Sequence, residues 1–291
     1  MKPVAFDYYR PQTVSEVTAL LSQNGDEAAI LAGGMTLGPM LNLRVVRPRA
    51  VIDISRIAAL KTISVKKVVV TGAGVVQNHA LSSDVIATEI PLLAMALPWV
   101  GHFQTRNRGT LGGSVAHADP SAEIPLALVV CGGSVVLQSR RGERRVPARE
   151  FFVGALITQR QPDELITSLE WPCSAPDAGH AFMEIAQRHG DFAIAAAACS
   201  LRVGQVGRVE QLSLGIGGVE DRPVAIDVNR FLGHPAGEIA ADLSEHAATS
   251  VTPMEDHAAT ADYRIALTKV LVERALSSAI EMAQRRRAHL Q

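Results

Sequence analysis

The residues best suited to chemistry lie in two glycine-rich stretches. From Thr105 to Ser114 the chain reads Thr-Arg-Asn-Arg-Gly-Thr-Leu-Gly-Gly-Ser, with Gly109, Gly112 and Gly113 inside five positions. It continues through His117, Asp119 and Glu123. Glycine admits left-handed backbone and lets a ligand approach closely. Consecutive N–H groups in such a turn can converge on an anion. The Thr110 and Ser114 hydroxyls add donors suited to phosphate oxygens. Taken alone, the stretch reads first as a surface turn. A second cluster, Ala32-Gly33-Gly34-Met35-Thr36-Leu37-Gly38-Pro39, changes that balance. Two small-residue loops, each after an apolar segment, could clamp one extended phosphate-bearing ligand.

Other candidates are weaker. Gly72-Ala73-Gly74-Val75-Val76-Gln77 is half of a dinucleotide fingerprint, but Gln stands where Gly or Ala is needed, so it reads as strand–turn–strand. Cys131, Cys173 and Cys199 are widely spaced and suit no disulfide framework, zinc site or iron–sulfur site; they read as buried or semi-buried thiols. The Arg285-Arg286-Arg287 run suits a solvated helix end. Net charge near −1 argues against nucleic-acid binding, which needs clustered basic charge. No apolar run reaches the ~18 residues of a membrane span, so no membrane insertion and a cytoplasmic location are expected. At 291 residues, two domains are expected.

The elements that must position the loops follow from periodicity and punctuation. Residues 13–24 read as a helix with a Thr13/Glu16 capping box, ended by Asn24-Gly25. Residues 28–32 form a strand running into the first glycine cluster, and residues 50–54 another. Strand-like residues 67–70 open a second unit, followed by helices from Leu81 and over 91–97, which deliver the chain to the second cluster. A buried helix over 124–131 precedes strands at 134–139, 146–152 and 165–171. Turn formers at 173–180 mark a domain boundary. Beyond it lie an alanine-rich strand or buried helix at 193–201, a strand at 209–218, a helix at 239–250 and a long amphipathic helix over 264–285.

In this order the chain resembles the FAD-binding medium subunit of the molybdenum hydroxylases, as in bacterial carbon monoxide dehydrogenase, and the flavin domain of xanthine dehydrogenase. The resemblance rests on Ala32 to Met40, Leu43-Arg44, Pro48 and the 51–54 strand. It continues through Thr105 to Pro125, Glu184 to Arg188, Gly190 to Ala193, Gly215 to Gly218 and Arg274 to Leu276. It implies an α+β protein: a two-part PCMH-type FAD-binding domain (1–175, subdomains about 1–57 and 58–175), then a smaller α+β C-terminal domain (176–291). It further implies that Ala32, Gly33, Gly34, Met35, Thr36 and Leu37, with Thr110, Leu111, Gly112, Gly113 and Ser114, carry the FAD pyrophosphate. Glu123 would bond the sugar-alcohol chain, Ile166 would meet the flavin or adenine side through its backbone, and Phe192 would lie by the isoalloxazine ring. Taken alone, Phe192 reads as a core aromatic, Glu123 as a helix N-terminal charge, and His117 as a hydrogen-bonded loop histidine.

The chain departs from the family's pattern where Met35-Thr36 stands in place of the frequent Gln-Ser, where Ala29 stands in place of the Lys of many relatives, and where Met183 replaces the Lys of the xanthine enzymes. The resemblance implies no acid–base pair and no metal ligand in this chain. Electrons would reach the FAD from [2Fe–2S] clusters on a small partner, fed by a molybdopterin centre on a large partner, in a dimer of heterotrimers. The rivals are a self-sufficient flavoprotein oxidase or reductase sharing this flavin domain, and a flavin-free assembly module.

Overall fold

The computed structural model describes residues 2–290, which build three larger sheets in succession. The first is parallel, with Ala50–Asp53 between Asp7–Tyr9 and Ala28–Leu31. Helix Val14–Asn24 covers it, starting where Thr13 Oγ1 accepts the Glu16 N–H at 3.2 Å and ending at Gly25, whose φ is 52°. Its buried Val17 and Leu21 meet Ile52 and Ile54. Each such side chain contributes about 1.5–3 kcal/mol. The edge strand Ala28–Leu31 runs directly into the first glycine loop, at the carboxyl end of a parallel sheet, where open α/β sheets tend to bind ligands.

The second sheet is antiparallel, in the order Ile63–Val65, Val69–Gly72, Leu165–Trp171, Ser134–Ser139, Gly142–Pro147. The Trp171 indole donates to Thr71 Oγ1 at 3.0 Å, pinning its two inner strands inside the core. Helices Pro91–Ala96, Leu111–His117 and Glu123–Val130 pack with this sheet.

The third sheet is an antiparallel meander of Gly179–Ile185, Ala195–Val203, Val209–Gly217 and Val224–Ile226. One face carries helices Ala240–Thr249 and Ala261–Leu290; the other meets helix Glu123–Val130. That helix lies between two sheets and is buried at every position. Small residues permit the approach: Cβ atoms on Gly215 and Gly217 would fall 2.5 Å from Val130 Cγ2 and 3.0 Å from Leu126 Cδ2.

Several sequence expectations change. The alanine-rich segment is the strand Ala195–Val203, with Ala196 and Ala198 facing the core shared with the second sheet and Ala195, Ala197 and Cys199 facing the long helix. A run of alanines carries no period of its own, and its partners decide. The expected strand–turn–strand at 72–77 is a strand, a turn, a single bridge from Val76 to Thr110, and a short helix Gln77–Leu81. The strand expected over 146–152 ends at Pro147, and Ala148–Phe151 forms one helical turn. Cys173 is exposed, contrary to expectation, whereas Cys199 is buried.

Candidate functional site

The two glycine loops touch. A Cβ on Gly33 would lie 2.0 Å from the Arg108 carbonyl oxygen and 3.0 Å from Gly109 Cα, so only glycine allows this approach. Arg108 Nε donates across the contact to the Gly33 carbonyl at 3.4 Å. Gly34 has φ +75°, a conformation favouring glycine. In the first loop the backbone N–H groups of Gly33, Gly34, Met35 and Thr36 donate to no protein acceptor among the described residues. Ala32 and Leu37 flank this row, at the end of strand Ala28–Leu31 and the start of helix Leu37–Asn42. The side chain of Met35 is 37% exposed.

The second loop is built differently. Leu111 N–H donates to the Val75 carbonyl and Gly112 N–H to the Ala73 carbonyl, both at 2.9 Å. Gly113 N–H donates to Thr110 Oγ1 at 3.0 Å, and Ser114 N–H to the Thr110 carbonyl at 3.1 Å. Thr110 thus caps helix Leu111–His117, a standard use of threonine. A Cβ on Gly112 would lie 2.4 Å from Ala73 Cβ. These glycines allow close packing, and Ser114, half-buried, contributes its hydroxyl.

Beneath the second loop lies the turn that sequence reading undervalued. Ala73 donates to the Thr167 carbonyl and accepts from Gly112, while Cβ atoms on Gly72 and Gly74 would strike the Leu60 carbonyl. A bulge between Ile166 and Ser168 accompanies this arrangement, and the Ile166 side chain is buried in the core. Gln77 N–H holds the Gly109 carbonyl at 2.8 Å. The glycine spacing of 72–74 is therefore a real signal of close support for a neighbouring loop.

Phe192 is 74% exposed, on a segment otherwise tied down on every side. His189 stacks on Trp99 with centroids 5.2 Å apart, and Gly190, at φ +90°, packs against His102. Ser121 Oγ donates to the Ala193 carbonyl at 2.9 Å. The buried Arg264 donates to the Ile194 and Gly218 carbonyls and pairs with Asp256 at 2.8 Å. An aromatic held out of the core on a fixed backbone offers a stacking face.

Glu123 opens helix Glu123–Val130 and is buried. Burial pushes its carboxyl up to about 7; Asp119 adds to the rise and Arg106 opposes it. Arg106 Nη1 also donates to the Val100 and Gly101 carbonyls, at 2.9 and 2.7 Å, which ties it to backbone. His117 ends helix Leu111–His117, before Ala118 at φ 53°, and is not the loop residue expected. Met183 faces helix Ala261–Leu290, beside Glu273, Arg274 and Ser277, away from the loops. Its neighbour Glu184 faces the core shared with the second sheet, by the alternation of a strand. In the sequence, Glu184 stands out only as part of the Glu184 to Arg188 segment. No group of three or more metal-ligating side chains occurs among the described residues, and no helix there is long and apolar enough to cross a membrane.

Two touching glycine loops, one with a row of backbone donors free among the described residues, precede a second α+β domain. Residues 4–174 match the FAD binding domain in molybdopterin dehydrogenase, and residues 180–279 match the CO dehydrogenase flavoprotein C-terminal domain. The chain is 35% identical over 286 residues to caffeine dehydrogenase subunit beta of Pseudomonas sp. (strain CBB1), covering 97% of each chain. It superimposes on a chain of carbon monoxide dehydrogenase from Hydrogenophaga pseudoflava, in the form lacking the Mo-pyranopterin moiety, with TM-score 0.94 at 34% identity, covering 97% of this chain and 99% of that one. Quinoline 2-oxidoreductase from Pseudomonas putida 86 gives 0.91 at 33% identity, with the same coverage. The protein belongs to the family of FAD-binding medium subunits of molybdopterin-dependent dehydrogenases, and is an oxidoreductase component.

Proposed function

We propose that this chain holds FAD between its two glycine loops and relays electrons from [2Fe–2S] clusters on a small partner subunit to an external acceptor. A large partner carrying the molybdopterin cofactor would select the substrate, and the assembly would be a cytoplasmic dimer of heterotrimers. The observation that carries this reading is the contact of Gly33 with Arg108-Gly109 beside four unengaged backbone N–H groups. A row of backbone donors fits a pyrophosphate, which needs several donors at close range.

On this reading the N–H groups along Ala32, Gly33, Gly34, Met35, Thr36 and Leu37 take the larger share of the pyrophosphate. Thr110, Leu111, Gly112, Gly113 and Ser114 supply the facing wall, with the Ser114 hydroxyl as a further donor. Glu123 accepts from the sugar-alcohol chain, the backbone at Ile166 meets the flavin or adenine side, and Phe192 covers the ring. Residues 1–175 form the cofactor domain and 176–291 brace it: the Ser121–Ala193 bond crosses that division, and Arg264, within the second part, holds Ile194 beside it. The electron-carrying chemistry is the cofactor's own, and the chain binds, orients and shields it. The three scattered cysteines leave cluster ligation to a partner.

The test is to purify the chain with its partner subunits and record the visible spectrum and the flavin released by acid. Stoichiometric FAD on this chain, reduced when substrate is added to the complex, is expected. Absence of releasable FAD overturns the proposal.

A further inference from the structure

Glu184 lies on strand Gly179–Ile185 opposite Ala196, in the interface between the third sheet and the flavin-side core. Its residue is 5% exposed, and neither carboxyl oxygen has a hydrogen-bond partner or accessible surface. Its strand neighbour on the same face is Phe182, and the Pro91–Ala96 helix packed on this strand is apolar throughout. Glu184, Ala196 and Gly217 share one row across three strands, and a Cβ on Gly217 would lie 3.0 Å from Leu126 of the helix that Glu123 opens, so this row faces that helix and Glu123 adds to the rise of Glu184. Around Glu123 the other charged groups are Asp119, on the turn before that helix, and Arg106, on Phe103–Arg106.

An ionised carboxylate without donors in an apolar interface costs several kcal/mol, and a second carboxylate beside it raises that cost. Glu123 has a partial remedy in its own backbone N–H and in Arg106. Glu184 has none. Two carboxyls in this relation titrate as a unit and keep one proton over a range where isolated acids have lost both. Glu184 is the interior member and Glu123 the one adjoining the second loop and the Phe192 segment, through Ser121 and Ala193.

We infer that Glu184 is a positioning residue of the cofactor site: it and Glu123 retain one shared proton at neutral pH, and that proton lets Glu123 meet the hydroxyls of the flavin's sugar-alcohol chain without an unpaired buried charge behind it. The inference rests on the FAD-binding reading above. Burial pushes Glu184 up to about 8, with Glu123 adding to it. Both carboxyls are raised above their unfolded values. The stability they carry is therefore complete in acid, and is lost as pH rises through about 7 to 8.

The experiment uses the flavin-depleted full-length chain and free FAD. Infrared difference spectra between pH 6 and pH 9 report protonated carboxyl, and flavin fluorescence reports the FAD dissociation constant over the same range. The wild-type chain is expected to show a carboxylic-acid band that disappears toward pH 9, with FAD affinity falling by about tenfold, as a required proton of this affinity dictates. In Glu184→Gln the band shrinks, and the neutral amide keeps FAD affinity flat across the range. In Glu184→Leu, thermal melts confirm folding, and affinity is likewise independent of pH. A wild-type chain without the band, or variants whose pH profiles superimpose on the wild type's, overturn the role of Glu184. Failure of FAD to bind at any pH instead overturns the functional reading, while the band still reports whether the proton is held.

Discussion

The two glycine loops use one residue type for opposite purposes. In the first, glycine exposes backbone: residues 33–36 keep their N–H groups free among the described residues, and Gly33 lets a second chain segment come within contact. In the second, glycine hides backbone: Leu111, Gly112, Gly113 and Ser114 all donate inside the protein, and Gly112 lets the helix start press onto Ala73. The first loop is therefore the donor surface and the second the wall that holds it in place. Sequence similarity between glycine-rich loops says nothing about which of these a loop is; the partners of its N–H groups do.

Three substitutions would break that division, and the largest effect belongs to Gly33→Val. Its side chain must displace the Arg108 carbonyl, separating the loops, and overpacking of this kind costs about 1–3 kcal/mol before any lost donor is counted. FAD affinity of the folded chain is expected to fall by more than tenfold, alongside a drop in melting temperature of a few degrees. Retention of stoichiometric FAD would refute the first loop's role. Gly112→Ala should show the reverse pattern. Its added methyl meets Ala73 at 2.4 Å inside the fold, so stability falls by about 1–3 kcal/mol in denaturant titration while the folded fraction still binds FAD. Thr110→Val removes the cap on Gly113 and is expected to cost about 1 kcal/mol of stability. A Thr110 variant that loses FAD with unchanged stability would make the second loop a donor surface after all.

The same division explains what could be read in advance. The capping box at Thr13 and Glu16, the edge strand at 28–31 and the amphipathic C-terminal helix were legible because each is set by local spacing. The 72–77 segment was misread because its glycines serve Leu60 and Ala73 serves Gly112, contacts formed with residues far along the chain. The alanine run at 195–203 stayed ambiguous because small side chains give no amphipathic signal when both faces are covered. Glu184 was overlooked for a similar reason. Met183 faces the long helix, whereas Phe182 and Glu184 on either side of it share the face that meets Glu123's helix. A carboxylate on the apolar face of a strand was the available clue.

The smallest effect tests the contrast most closely. Met35→Gln adds a side-chain donor to the first loop. Were the loop to act through side chains, this change would restore much of a missing interaction. With the donors on the backbone, an added amide supplies at most one further hydrogen bond from an exposed position, a net ~0.5–1.5 kcal/mol. FAD affinity should therefore rise by less than about tenfold. Ser114→Ala removes a hydroxyl from the wall that has few other donors to offer, and should lower affinity by a comparable amount. Fluorescence titration of both variants gives the comparison directly. A Met35→Gln gain well beyond tenfold would mean that the four free N–H groups are not the main phosphate contacts, and the roles assigned to the two loops would have to be exchanged.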